Sequence, residues 1–234
     1  MKAVVLAAGL GTRLRPYTLF VPKPMLPLGE RPVLEHLFEW LKSNKILELN
    51  VCVGYLRRTI EEYFRDGEDL GLHIKYIRTG RPMGTAGQLK SAQNYVKNTF
   101  VCIYGDSVLD FDLTKLIKAH KKNKALVTMA LMSYKTHLKY GFIDVDSLGR
   151  VKKWNEKPEV AGLINIGCYI MEPKFLEYIP DKKMYGMDVT FNKIMKKGEL
   201  IQGIKVEGTF VDIGDKKSYA SAYKSYVERL GKIL

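Results

Sequence analysis

Cysteine is scarce: Cys52, Cys102 and Cys168 are the only 3 in 234 residues. They stand far apart, each in an apolar, strand-like context, so neither a disulfide framework nor a zinc spacing is available. Buried free thiols are the expectation. Histidine is nearly as rare, and His36, His73, His120 and His137 form no Ser-His-Asp or Cys-His pattern. No apolar run approaches the ~18 residues of a membrane span, which argues against a membrane partner. Met1-Lys2 and the apolar stretch from Val4 to Leu10 are too short for a leader. Arg13 and Arg15 follow, not a small-residue cleavage site, so this start reads as the first strand of a cytoplasmic protein. Acidic residues are in deficit, 25 against 38 basic ones, for a net charge of +13. That balance suits polyanionic ligands. The cations are scattered, however. Lys115, Lys118, Lys121, Lys122 and Lys124 read as the wet face of a helix whose other side carries Leu116, Ile117 and Ala119. No basic-aromatic alternation of the single-strand-binding type stands out, so nucleic acid is not the expected partner.

What is present is alternation. Lys2–Ala7, Leu49–Gly54, His73–Ile77, Phe100–Tyr104 and Leu126–Met132 read as strands. Between them, Val33, Leu34, Leu37, Phe38 and Leu41 repeat with a period near 3.6, with Pro32 suited to the first turn. Ile60, Tyr63 and Phe64 mark a second helix, and Leu89, Ala92 and Val96 a third. Such alternation predicts a mostly parallel sheet with helices on both faces, in one large α/β domain. After about residue 133 the segments Gly141–Asp146, Val151–Trp154 and Leu163–Met171 read as an antiparallel insertion, with a turn at Ser147-Leu148-Gly149. Tyr219, Ala222, Tyr223, Tyr226 and Leu230 share one face of a closing helix, a stripe better suited to packing than to binding.

The richest stretch is Gly9-Leu10-Gly11-Thr12-Arg13-Leu14-Arg15-Pro16-Tyr17-Thr18, running on to Pro22-Lys23-Pro24-Met25-Leu26-Pro27. A buried strand opening into glycines with Arg13, Arg15 and Lys23 nearby is a place to hold phosphates, because backbone N–H groups can approach the anion. It is neither a dinucleotide loop nor a Walker loop: Leu14 stands where each needs a glycine. A bare G-x-G also fits an ordinary turn.

Ligands of open α/β sheets sit at the carboxyl ends of strands. There Phe100–Tyr104 delivers Gly105 and Asp106, a carboxylate fit for a hard cation or for capping the next segment. Thr209-Phe210-Val211-Asp212-Ile213-Gly214-Asp215 repeats the theme; Asp215 suits an N-cap and leaves Asp212 for metal. Asp110-Phe111-Asp112 matches the D-x-D of nucleotide-sugar glycosyltransferases, although Asp112 also fits an N-cap. Gly80 to Gly87 offers a close wall for a flat base and a helix N-terminus for an anion, or a plain loop and helix start. Trp154-Asn155-Glu156-Lys157-Pro158 sets a carboxylate beside an ammonium, suited to a sugar phosphate or to a surface ion pair.

Taken in order, Gly9 to Thr18, Pro22 to Pro24, Gly84 to Gly87, Gly105-Asp106, Tyr140-Gly141, Glu156 to Pro158, Asn165-Ile166-Gly167 and Phe210 to Gly214 closely resemble the motifs of the sugar-1-phosphate nucleotidyltransferases, the NDP-sugar pyrophosphorylases. The resemblance spans nearly the whole chain, and no hexapeptide array of the β-helix type follows, so it resembles the short form. It implies an α/β, Rossmann-like, mostly parallel sheet with a smaller antiparallel sugar-binding insertion. Residues 1–132 would be mainly nucleotide-binding, 133–214 mainly sugar-phosphate-binding, and 215–234 a C-terminal helix. It implies that Arg13, Lys23 and Lys157 are catalytic, gripping phosphates, and that Leu6, Ala8, Gly9, Gly11, Thr12, Thr79, Gly84 and Thr85 bind the nucleotide. Gly141, Glu156 and Asn165 would hold the sugar, and Asp106 and Asp212 would share Mg²⁺. The substrates would be an NTP and a sugar 1-phosphate, and the oligomeric state stays open. Thr79-Gly80-Arg81 lacks the glutamine that several thymidylyl and uridylyl members carry, and Pro82 to Gly87 looks closer to the guanylyl branch. Two rivals belong to other classes: a regulatory binding protein built on the same fold, and a D-x-D glycosyltransferase.

Overall fold

A computed structural model describes residues 1–230; residues 231–234 and the side chains of Arg229 and Leu230 lie outside the described residues. Strand β1 (Lys2–Leu6) occupies the middle of a seven-stranded sheet, and Ala3, Val4, Val5 and Leu6 are buried on both faces. That is why it reads as an unbroken apolar run. A short hairpin, β2 (Pro27–Leu28) and β3 (Arg31–Pro32), leads into α1 (Val33–Ser43). Then come β4 (Glu48–Val53), α2 (Arg57–Phe64), β5 (His73–Arg78), α3 (Gly84–Ser91), β6 (Phe100–Tyr104), β7 (Ser107–Asp110) and α4 (Leu113–Asn123). The second half holds β8 (Val127–His137), β9 (Phe142–Val145), β10 (Val151–Asn155), β11 (Glu159–Met171), α5 (Met187–Lys196), β12 (Ile201–Lys205), β13 (Thr209–Asp212) and α6 (Lys216–Leu230).

The main sheet runs β12-β8-β11-β6-β1-β4-β5, with β11 alone antiparallel to its neighbours. Residues alternate between its faces. Val5, Val51, Val53, Val101 and Ile103 pack with Leu37 and Phe38 of α1, Ile60 of α2 and Leu116 of α4. Val4, Leu6, Cys52, Ile77 and Cys102 pack with Leu89 of α3 and Phe191 of α5. All three cysteines are buried free thiols, and burial pushes Cys52 up to about 12.

Of the expected insertion, β9 and β10 form a separate antiparallel pair. Leu163–Met171, however, belongs to β11, which lies inside the main sheet between β8 and β6 and reaches outward only from Glu159, where β8 runs on to pair with it. Helix α3 is shorter than its apolar period suggests. It ends at Ser91, a 3-10 turn over Gln93–Tyr95 follows, and Val96 is extended though buried. The chain tightens there to re-enter the sheet at Phe100. On α6, Ala222 is buried, while Tyr219 and Tyr226 pack beside it against Leu14, Leu26, Leu28, Val33 and Ile213; Tyr223 is exposed, so the tyrosine stripe is only partly a packing face.

Candidate active site

The carboxyl end of β1 feeds the glycine loop. Gly11 is left-handed at φ +62°, and a Cβ there would meet Thr18 Cγ2 at 3.0 Å and Lys23 Cβ at 3.2 Å. The Thr18 hydroxyl donates to Gly11 O at 2.7 Å, which closes the loop on itself. Leu14, the residue that breaks both common glycine motifs, is fully buried beneath the loop in the cluster with Ile213 and Ala222. Around Gly9, by contrast, a Cβ would meet nothing within 4 Å, which leaves room on the cleft side.

Gly105 lets β6 close on β1: its N–H donates to Leu6 O at 3.0 Å, and a Cβ would meet Ala7 Cβ at 3.1 Å. Asp106 follows at once. Asp212 closes β13, which pairs antiparallel with β7 so that Asp212 lies opposite Ser107. Two carboxylates far apart in the chain thus become neighbours. The Lys23 ammonium donates to Asp106 Oδ2 and lies 3.9 Å from Asp212 Oδ1, so one cation reaches both acids. Burial pushes the half-exposed Asp212 carboxyl above its ordinary range; Lys23 pulls it down, the Asp106 charge pushes it up, and Arg13 pulls it down again.

These residues line one cleft of about 330 Å³ with Leu6, Gly9, Arg13, Thr85, Gln88, Asn165 and Gly167. The β11 register slips between Asn165 and Tyr169, turning Ile166 and Gly167 toward the cleft. Asn165 is fixed there, donating to the Tyr169 hydroxyl at 2.7 Å and accepting from Gly167 N–H at 3.0 Å. Gly167 is left-handed, and a Cβ would sit 2.6 Å from the Tyr104 ring. Burial pushes the Tyr104 phenol up to about 12.

Other expected positions lie apart. Ala8 and Thr79 line a neighbouring hollow on the far side of the glycine loop, with Tyr55, Gly80 and Arg81. Gly84 stands against backbone: a Cβ would meet Tyr185 O at 2.5 Å, and that carbonyl accepts from Ala86 N and Gly87 N. Two of the first-turn amides of α3, those of Ala86 and Gly87, are therefore occupied by that carbonyl. Gly11 and Thr12 shape the loop without lining the cleft. Gly141, Glu156 and Lys157 also lie outside the cleft lining; the Glu156 carboxylate accepts from Trp154 Nε1 at 3.2 Å and abuts Gly141. Asp112 caps α4, accepting from Thr114 N at 2.9 Å, and Asp215 caps α6, accepting from Ser218 N at 2.8 Å. The D-x-D pair does not line the cleft.

Gln88 escapes sequence reasoning. Buried on α3, it accepts the Ala8 N–H through Oε1 at 3.0 Å and lines the cleft. Among the described residues no group of three or more His, Cys, Asp or Glu could close a metal site. Two carboxylates suit a hard cation that keeps water and substrate phosphate as further ligands, which is how Mg²⁺ is commonly held. No helix among the described residues is long and apolar enough to cross a membrane.

The family model described as nucleotidyl transferase matches residues 2–229. The chain is 36% identical over 249 residues to a UTP–glucose-1-phosphate uridylyltransferase of Synechocystis sp., covering 98% of this chain but 64% of that protein. It is 34% identical to the D-glycero-alpha-D-manno-heptose 1-phosphate guanylyltransferase of Campylobacter jejuni, over 94% of this chain and 97% of that one. Among solved structures, HddC from Yersinia pseudotuberculosis complexed with GMP-PN superposes with a TM-score of 0.77 at 26% identity, over 96% of this chain and 99% of that one. A UDP-glucose pyrophosphorylase from Acinetobacter baumanii, 21% identical over 96% of this chain and 92% of that one, shares the fold with a TM-score of 0.76.

Proposed function

This chain belongs to the nucleotidyl transferase family, and from that premise we propose that it moves a nucleotidyl group from an NTP to a sugar 1-phosphate in the cytoplasm. One observation carries the proposal: Asp106, Asp212 and Lys23 converge on a single point beside Arg13 and the glycine loop. A sugar phosphate oxygen attacks the α-phosphorus; the new P–O bond forms as the bond to the β-phosphate oxygen breaks, and pyrophosphate leaves. The nucleophile is an anion at neutral pH, so no general base is needed, in keeping with a cleft that has no histidine in its lining.

The barrier is the approach of two anions. Arg13 and Lys23 neutralise phosphate charge and align the line of attack. Gly9, Gly11 and Thr12 shape the triphosphate cradle, with Leu6 and Thr85 beside it. Asp106 and Asp212 would hold Mg²⁺, which when bound screens charge on the reacting phosphates. Asn165, already fixed by Tyr169 and Gly167, meets the sugar, with Gly141 and Glu156 on the β9–β10 side and Lys157 on its phosphate. Ala8, Thr79 and Gly84 flank the base. Residues 1–132 thus serve mainly the nucleotide and 133–214 mainly the sugar phosphate, with α6 closing the cradle. The favoured base is guanine, on the likeness of Pro82 to Gly87 to the guanylyl branch.

A pyrophosphate-release screen of the common NTPs against several sugar 1-phosphates, with and without Mg²⁺, tests this. GTP with one sugar phosphate should turn over, and Arg13→Ala or Asp106→Asn should slow it by about 100-fold or more. Turnover with UTP or dTTP alone would overturn the base, and full activity in either variant would overturn the site.

A further inference from the structure

The early end of α3 leaves the amino edge of the sheet without a helix over it. On the face that α3 and α5 cover elsewhere, Lys2, Glu48, Asn50, Lys75 and Phe100 line up across β1, β4, β5 and β6. A cavity of about 500 Å³ opens over them, bounded also by Asn94, Tyr95, Lys97 and Asn98. It lies at the opposite end of the strands from the nucleotide cleft and shares no lining residue with it.

Asn50 is the anomaly. Its neighbours on this face, Val4, Cys52 and Ile77, are apolar core. Asn50 is only 4% exposed, yet its amide nitrogen has no hydrogen-bond partner. Leaving such a donor unpaired is costly, so a native fold that keeps one calls for a reason. Beside it in register stands Lys75, whose ammonium lies 4.7 Å from the centre of the Tyr95 ring. Glu48 is the one carboxylate in the lining, and Lys2 engages it at 2.9 Å. Lys75 and Lys97 are left without a carboxylate partner among the described residues.

We propose that this cavity is a second ligand site, taking a small phosphate monoester. The Asn50 amide donates to a phosphate oxygen, and Lys75 and Lys97 balance its charge, which is about −1.5 to −2 at neutral pH. Tyr95, Asn94 and Asn98 meet the organic part. The site stands independently of the activity assigned to the cleft.

The test is a titration of the full ¹⁵N-labelled chain with glucose 6-phosphate, with inorganic phosphate, and with potassium chloride at matched ionic strength, following the Asn50 side-chain amide. Glucose 6-phosphate should move that signal saturably and more tightly than inorganic phosphate, and the chloride should leave it in place. Lys75→Met should weaken binding by roughly tenfold or more, as for loss of a hydrogen bond to a charged group. Asn50→Leu should remove the response of its neighbours; if that variant does not fold, Lys97→Met takes its place. Arg13→Ala should bind as the native chain does, because its side chain belongs to the other cleft. Equal affinity for inorganic phosphate overturns the monoester assignment. A response matched by chloride, confined to the Arg13 cleft, or unchanged in Lys75→Met overturns the site.

Discussion

Gln88 ties the glycine loop to the helix behind it, and the link is one hydrogen bond from Ala8 N–H. Gln88→Leu keeps the bulk and removes the acceptor, leaving a buried donor unpaired at a cost of about 1–3 kcal/mol. The variant should lose that much stability in urea denaturation, and its KM for the NTP should rise. Gln88→Glu keeps an acceptor oxygen and should recover most of the stability. Unchanged stability in Gln88→Leu would show that the bond contributes nothing. Sequence reading could not reach this residue. A glutamine inside a helix is an ordinary surface choice by propensity, and its partner lies 80 residues away. Asp106 and Asp212 are different: an apolar run that ends in an acid beside a glycine marks the carboxyl end of a strand. Gly84 and Gly167 were legible as glycines of a motif but not as what they are in the fold, close approaches to the Tyr185 backbone and the Tyr104 ring.

At the level of elements, the glycine loop is held from below by core, which is why Leu14 stands where a dinucleotide loop would have glycine. Leu14→Ala opens a cavity between the loop, the β2–β3 hairpin, Ile213 and α6. The expected loss is about 2–5 kcal/mol, against within ~0.5 kcal/mol for Leu10→Ala, whose side chain is exposed. Chemical denaturation of the two variants checks this, and equal losses would mean that Leu14 anchors nothing. The long apolar strands were readable because burial on both faces demands continuous apolar runs. The β7–β13 pair was not: each strand has four residues, and no local pattern announces that residues 107–110 will meet 209–212. That pairing is what brings the two aspartates together, so both acids could be named from sequence while the reason for their closeness could not. The α3 end was misplaced for a related cause, since Ala92 and Val96 stay buried after the helix has stopped.

For the whole molecule, the cleft is a convergence of segments from Leu6 to Asp212, and its acids are already compensated without metal. Lys23 reaches both carboxylates, so folding does not have to leave two like charges facing each other. Chelation should therefore abolish turnover and leave thermal unfolding almost unchanged. Lys23→Met separates the two roles. Without the ammonium, Asp106 and Asp212 repel across a partly buried site, and the metal-free chain should unfold at a lower temperature. A ligand that binds only the folded state stabilises by mass action. Mg²⁺ should therefore raise the unfolding temperature of Lys23→Met by more than it raises that of the native chain, although the variant has lost a phosphate contact and most of its turnover. Differential scanning fluorimetry over a Mg²⁺ series, with potassium chloride at matched ionic strength, measures both shifts. The same small shift in the two proteins would mean that the paired aspartates do not bind the ion, and the charge logic of the cleft would have to be rebuilt around Lys23 alone.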